Sequence, residues 1–146
     1  MEVSFYLIQI LNGVSFAMLL FLLAAGLSLI YGLMRILNLA HGSYYLLGAY
    51  VALSVARGTG SLLLAAVAGT AVVTAVGIFM ERVLLRRVPR AELPQALLTF
   101  GMLLIIGDLA LWIWGGTPQT LPRPEALSGA VRVGSFFFPA YRLFVI

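Results

Sequence analysis

From Tyr6 to Leu33 the chain carries no charged residue. At about 1.5 Å of rise per helical residue, such a run is longer than the roughly 30 Å hydrocarbon core of a bilayer. Backbone groups placed in lipid must hydrogen-bond within their own segment, which a helix achieves, so the first element is expected to be a tilted membrane-spanning helix. A cleavable leader is a poor alternative. The amino terminus bears Glu2 and no basic residue, and the apolar run continues past the short core of a signal peptide to about Met34. The rest of the chain agrees, since 62% of its 146 residues are hydrophobic and 10% are charged. A soluble domain of this size cannot hide that much apolar surface from water.

The formal charge of +4 comes from arginine alone, because the sequence has no lysine. The arginines sit in short stretches between apolar runs, which is the pattern of a polytopic membrane protein rather than a nucleic-acid binder. Without cysteine there is neither a disulfide framework nor a thiolate metal site. Without lysine there is no phosphate-binding Walker loop, so any ATP must be hydrolysed by another chain. No nucleophile with a base partner, paired catalytic carboxylates, or haem or zinc spacing occurs, and the chain reads as a non-enzyme.

Reading onward, MRILNLAH (34–41) is a loop or broken helix, and the apolar stretch after it is short. It spans only by borrowing the Ile36 to Ala40 region or by starting below the membrane surface. Arg57-Gly58-Thr59-Gly60 is a turn, Ser61 to Met80 is the clearest span, and ERVLLRRVPRAELP (81–94) is a short interfacial segment limited by Pro89 and Pro94. Gln95 to Trp114 spans again and is closed by two indoles suited to the membrane interface. Residues 115–135 hold four glycines and three prolines and form a polar connection, after which FFFPAYRLFVI opens another apolar stretch. The expectation is an all-α, polytopic transmembrane bundle in one domain over 1–146. Its spans lie at about 6–33, 38–56, 61–80, 95–114 and 136 onward, giving four complete crossings and the start of a fifth. A helix cannot end inside lipid, so the natural protein is expected to continue beyond Ile146. Arginine density puts the 81–94 segment, with Arg82, Arg86, Arg87 and Arg90, on the cytoplasmic side. The Arg35 region is then cytoplasmic too. The amino terminus, the Arg57 turn and the 115–135 connection lie outside.

Three groups of residues stand out. Small residues recur every fourth position, at Gly48, Ala52 and Ala56 and again at Ser61, Ala65, Gly69 and, after Val73, Gly77, and such a face serves either tight helix packing or a substrate groove. Arg35, Asn38 and His41, with the adjoining Gly42, are spaced by three and either aim polar groups into a protein-lined pathway or face water at the membrane edge. Asp108 is the only charge in its span, and serves either the pathway or a structural pair. The basic 81–94 segment either docks a cytoplasmic partner or acts as a topology signal on anionic headgroups.

The residues GLSLIYGLMRILNLAHGSYYLLGAYVAL (26–53) resemble the signature of the branched-chain amino acid permease family of ABC importers. In that family a helix ends in LIYG, followed by RxxNxAHG and LGAY. The matching positions here are Tyr31, Gly32, Arg35, Asn38, Ala40, His41, Gly42, Gly48, Ala49 and Tyr50. Leu39 replaces a common phenylalanine, and Ser43 stands where relatives are often acidic. ERVLLRRVP, LLTFGMLLIIGDLALWIWG and YRLFVI extend the likeness over nearly the whole chain.

The resemblance implies a permease subunit in the cytoplasmic membrane of a prokaryote. It would work with a second homologous permease, two cytoplasmic ATPase subunits that bind ATP, and an extracytoplasmic solute-binding protein; this chain itself holds no cofactor. The implied cargo is branched-chain amino acids, with urea, short amides or other amino acids as alternatives. A full family member is about twice this length by that likeness, with its main ATPase-coupling elements in the other half, so this piece is not expected to transport alone. A different class of reading is a non-transporting membrane scaffold or a channel subunit, although a channel needs a polar, water-lined row that these runs lack.

Overall fold

A computed structural model describes residues 2–89, 91–120, 129–133 and 136–140. The order of elements is α1 (Glu2–Met34), α2 (His41–Thr59), α3 (Leu62–Phe79), α4 (Glu92–Trp114), β1 (Ala130–Val133) and β2 (Phe136–Pro139). The chain divides into two compact units, one of Met1–Gly26 with Arg123–Ile146 and one of Leu27–Pro122.

Helix α1 belongs to the first unit as far as Gly26; it is apolar over 30 residues, from Phe5 to Met34, and almost none of that surface is buried. A helix of this kind needs lipid or other protein around it. Its internal hydroxyl at Ser15 returns to the Leu11 carbonyl at 2.9 Å, which removes a polar group from the apolar surface. The same unit holds an antiparallel hairpin in which Ala130 faces Pro139 and Val133 faces Phe136. The all-α expectation is corrected here. Phe136–Pro139 is a strand rather than the first turn of a fifth spanning helix. Three consecutive aromatics favour extended backbone, Pro139 suits the end of a strand, and pairing with Ala130–Val133 satisfies the backbone groups locally. Residues 141–146, the remainder of that expected span, lie outside the described residues.

The second unit is built on a helical hairpin. Gly60 ends α2 in the left-handed region (φ 68°) with its N–H on the Ala56 carbonyl at 2.8 Å, a conformation cheap only for glycine. Ser61 then caps α3, its Oγ accepting from the Leu64 N–H at 3.3 Å. With so short a turn, α2 and α3 must run antiparallel, and the small residues let their backbones close in. A side chain at Gly69 would put its Cβ 2.8 Å from the Gly48 carbonyl oxygen, so only glycine fits that crossing. Ala56 and Ala65 are buried, and Ala52 lies beside Gly69. Gly77 does not join this contact; the space beside it is open.

Helix α4 runs alongside α2 in the same direction. Its start touches the α1–α2 linker through Thr99, and its end touches α2 where Trp114 donates to Ser54 at 2.7 Å and stacks on Tyr50 at 5.0 Å between ring centroids. The segment after α3, expected as a short interfacial segment, begins as a continuation of the helix. The helix continues as a π turn (Met80–Leu84) and a 3-10 turn (Leu85–Arg87), so Arg82, Arg86 and Arg87 ride on the end of the helix. Arg90 is outside the described residues.

By length and composition α1, α3 with its extension, and α4 can each cross a membrane. Helix α2 is as long as a bilayer core, its 19 residues rising about 28 Å, but it carries His41, Arg57 and several hydroxyls and falls short of the apolarity of the others. Its hydroxyls are folded onto its own backbone, with Ser54 donating to the Tyr50 carbonyl and Thr59 to that of Val55.

Candidate functional site

One end of the second unit gathers the linker between α1 and α2, the close of the α3 extension and the start of α4. The linker begins with a strained residue. Arg35 sits at φ 54°, the left-handed conformation that commonly ends a helix, with its N–H on the Tyr31 carbonyl at 2.9 Å. Glycine is the usual occupant of that position, and a β-carbon there costs about 1–2 kcal/mol. The arginine is therefore held in place by its surroundings.

Asn38 is buried and folds over its own backbone. Its Oδ1 accepts from the Ala40 N–H at 3.1 Å, and its carbonyl accepts from the His41 N–H at 3.2 Å. This is an Asx turn that starts a helix, and Ser43 completes it by donating to the Ala40 carbonyl at 2.8 Å. His41 is the first residue of α2 and is half-buried; Gly42 beside it is exposed, with open space where a Cβ would stand. The buried Tyr44 hydroxyl faces Asn38 but completes no well-formed hydrogen bond among the described residues.

The anchor of the linker is Thr99 on α4. It is fully buried, its Oγ accepts from the Leu39 N–H at 3.1 Å, and the Leu37 and Ala96 carbonyls lie at 3.2 and 3.0 Å for its single proton. One hydroxyl thus serves both backbone polarities of a segment that has no helix or sheet of its own. Buried peptide groups in an apolar setting need such a partner. Thr99 was not singled out from the sequence. The available signal was Gln95 and Thr99 four residues apart in an otherwise apolar run, a spacing that sets both on one helical face; both are buried.

Because the linker is not helical, Arg35, Asn38 and His41 do not share a helix face, contrary to what their spacing suggests. Arg35 instead meets the arginine-bearing extension. A cavity of about 760 Å³ is lined by Arg35 and Ile36 from the linker, Glu81, Leu85 and Arg86 from the extension, and Gln95 from α4. Arg86 Nε donates to Glu81 Oε1 at 2.9 Å, a pair whose five-residue separation suits the wider π turn. Arg82 and Arg87 are exposed at the same end. At the opposite end Arg57 reaches the Thr120 carbonyl at 3.4 Å. Asp108 stands apart from all of these, exposed on α4, nine residues or about 13 Å beyond Thr99. Among the described residues no cluster of three histidine or carboxylate side chains offers a metal site.

Comparison with known proteins bears on this arrangement. The profile of the family described as branched-chain amino acid transport system / permease component matches residues 9–146. The high-affinity branched-chain amino acid transport system permease protein LivH of Escherichia coli is 30% identical over 128 residues, covering 81% of this chain and 42% of LivH. BraD of Pseudomonas aeruginosa, a permease protein of the same description, is 36% identical over 94 residues, covering 58% of this chain and 31% of BraD. LivH of Salmonella typhimurium is 29% identical over 141 residues, covering 90% of this chain and 45% of that protein. The chain thus spans less than half the length of these relatives, and no solved structure matches it. With a match that runs through the strained linker, the packed helical hairpin and the arginine-bearing end alike, the chain is a multi-pass membrane protein that belongs to the permease-component family of branched-chain amino acid transport systems.

Proposed function

We propose that this chain forms part of the permease subunit of an ATP-driven importer that carries branched-chain amino acids across the cytoplasmic membrane of a prokaryote. The observation that carries the proposal is the family match over residues 9–146, together with relatives whose names specify high-affinity branched-chain amino acid transport. A second permease of the same kind, two cytoplasmic ATPase subunits that bind the ATP, and an extracytoplasmic solute-binding protein complete the machine. ATP is bound by those partner subunits, since the lysine of a phosphate-binding loop has no counterpart in this sequence.

In this reading the whole chain is a single transmembrane domain and α2 is a fourth crossing. Low apolarity in α2 is expected of a helix shielded by neighbours, and it packs against both α3 and α4. The end carrying Arg35, Arg82, Arg86 and Arg87 faces the cytoplasm, and the end carrying Arg57 faces outward. Arg35, Asn38, His41 and Gly42 contribute to the substrate pathway at the cytoplasmic end, and Asp108 contributes on the outward side. Gly48, Ala52, Ala56, Ala65 and Gly69 hold the helices that frame it. Open space at Gly42 beside a half-buried imidazole supports the pathway role.

The test is uptake of labelled leucine by the full-length permease reconstituted with its partners. Asn38→Ala and His41→Ala are expected to lower uptake while assembly is retained. Normal uptake in both would remove the linker from the pathway. Faster uptake of labelled urea than of leucine would reassign the cargo.

A further inference from the structure

We propose that the cavity between Arg35, Arg86 and Gln95 binds the phosphate of an anionic phospholipid. Two guanidinium groups from different elements line it, against the single carboxylate of Glu81, which leaves one net positive charge. Glu81 occupies only the Nε of Arg86, and the Arg35 side chain has no partner among the described residues. Guanidinium forks with free N–H groups match phosphate oxygens in shape and charge.

Gln95 adds a neutral donor to the same cavity. The residue is 6% exposed, it lines the cavity, and its carboxamide has no hydrogen bond among the described residues. Tyr44 Oη is the one fully buried side-chain polar atom without a partner among the described residues, so the Gln95 amide is open to the cavity and free to bond to what enters it. A phosphate oxygen can accept from its NH₂ group. The left-handed backbone of Arg35, strained in a segment otherwise fixed by Thr99, presents the third donor group to the same space.

Placement decides between lipid and free phosphate. The cavity lies where α1, the α3 extension and α4 end or begin, which is where spanning helices leave the hydrocarbon. Ile36 and Leu85 give it apolar walls that suit a glycerol and acyl-chain root, and inorganic phosphate has no use for them. Exposed Arg82 and Arg87 at the same end add attraction toward an anionic headgroup layer.

The experiment is native mass spectrometry of the full-length permease complex in detergent, titrated with phosphatidylglycerol or phosphatidylcholine of the same chains. Retention of phosphatidylglycerol over phosphatidylcholine is expected, with about a fivefold loss of affinity for each of Arg35→Gln and Arg86→Gln. Gln95→Leu should weaken binding in the same direction, while Arg82→Gln, outside the cavity lining, should change it much less. Because the Arg86 side chain is 67% exposed, its replacement leaves the fold intact and gives a clean comparison. Equal retention of the two lipids, an unchanged affinity in Arg35→Gln and Arg86→Gln, or displacement of the lipid by millimolar inorganic phosphate would each overturn the assignment. So would a density at this cavity belonging to a partner's acidic segment.

Discussion

Replacing Gly69 by alanine, with Gly77→Ala in the same helix as its control, tests whether α2 and α3 are held by backbone contact. Both substitutions remove a glycine from a helix interior, so both gain the same helix propensity of roughly 0.5–1 kcal/mol. Only the surroundings differ. At Gly77 the new methyl enters open space, whereas at Gly69 it lands 2.8 Å from the Gly48 carbonyl oxygen and 3.4 Å from the Ala52 Cβ. The oxygen belongs to a backbone already committed to α2, and it cannot rotate away. Relief requires the helices to part by about 0.5 Å, which forfeits about a quarter of the dispersion attraction along the seam. Overpacking of this kind costs about 1–3 kcal/mol. Gly69→Ala should therefore be less stable than Gly77→Ala by that amount, or about one to two orders of magnitude in the unfolding equilibrium. Gly48→Ala should fall between them, because its Cβ would meet the Val73 Cγ2 at 3.1 Å, a side chain able to yield. Unfolding in mixed micelles with increasing dodecyl sulfate, followed by circular dichroism, gives the ranking. A Gly69→Ala protein as stable as Gly77→Ala would refute the close-contact argument.

Thr99→Val keeps the shape but leaves the Leu39 N–H without its acceptor, and should cost about 1–3 kcal/mol with faster hydrogen exchange at Leu39, while Thr99→Ser retains most of the protection. Trp114→Phe preserves the stack on Tyr50 and loses the bond to Ser54, so unfolding should ease by about 0.5–1.5 kcal/mol, read in the same micelle titration. Arg35→Gly relieves the left-handed strain and should stabilise the chain by up to about 1 kcal/mol while lowering uptake in the full complex, a separation that stability and transport assays measure together. Glu81→Gln breaks a pair that is exposed on both sides, 67% for Arg86 and 37% for Glu81, and should shift stability by less than about 1 kcal/mol.

Relatives named for branched-chain amino acid transport and a cavity at the arginine-bearing end give these predictions two separate footings. Stability tests address the helical hairpin and the linker, and need no cargo. Uptake and lipid binding address the linker's polar groups, and separate the pathway from the headgroup site through the residue changed. Gln95 and Arg86 belong to the second alone.

The long apolar runs determined by themselves that α1, α3 and α4 are helices able to cross a bilayer, because solvation and backbone self-bonding depend on composition along the segment and on nothing distant. Four-residue spacing of Gly48, Ala52, Ala56, Ala65 and Gly69 put small residues on one face in the sequence without saying whether that face packs or lines a groove, and the turn expected over Arg57–Gly60 narrows to Gly60, since α2 runs to Thr59. Which small residues meet was a matter of how two helices cross, so Gly77, indistinguishable from Gly69 in the sequence, faces open space. The linker shows the same division. Its polar residues were visible, but Asn38 spends its side chain on a turn, Arg35 enters a cavity with Arg86 from 51 positions later, and both depend on a buried threonine 60 residues from Leu39. The hairpin at Phe136–Pro139 was hidden by its apolarity, since three phenylalanines suit a lipid-facing helix and a paired strand alike until the partner strand is known. Hydrophobicity is a local property and could be read directly; hydrogen-bond partners and close approaches are relations between distant segments, and only their placement in three dimensions decided them.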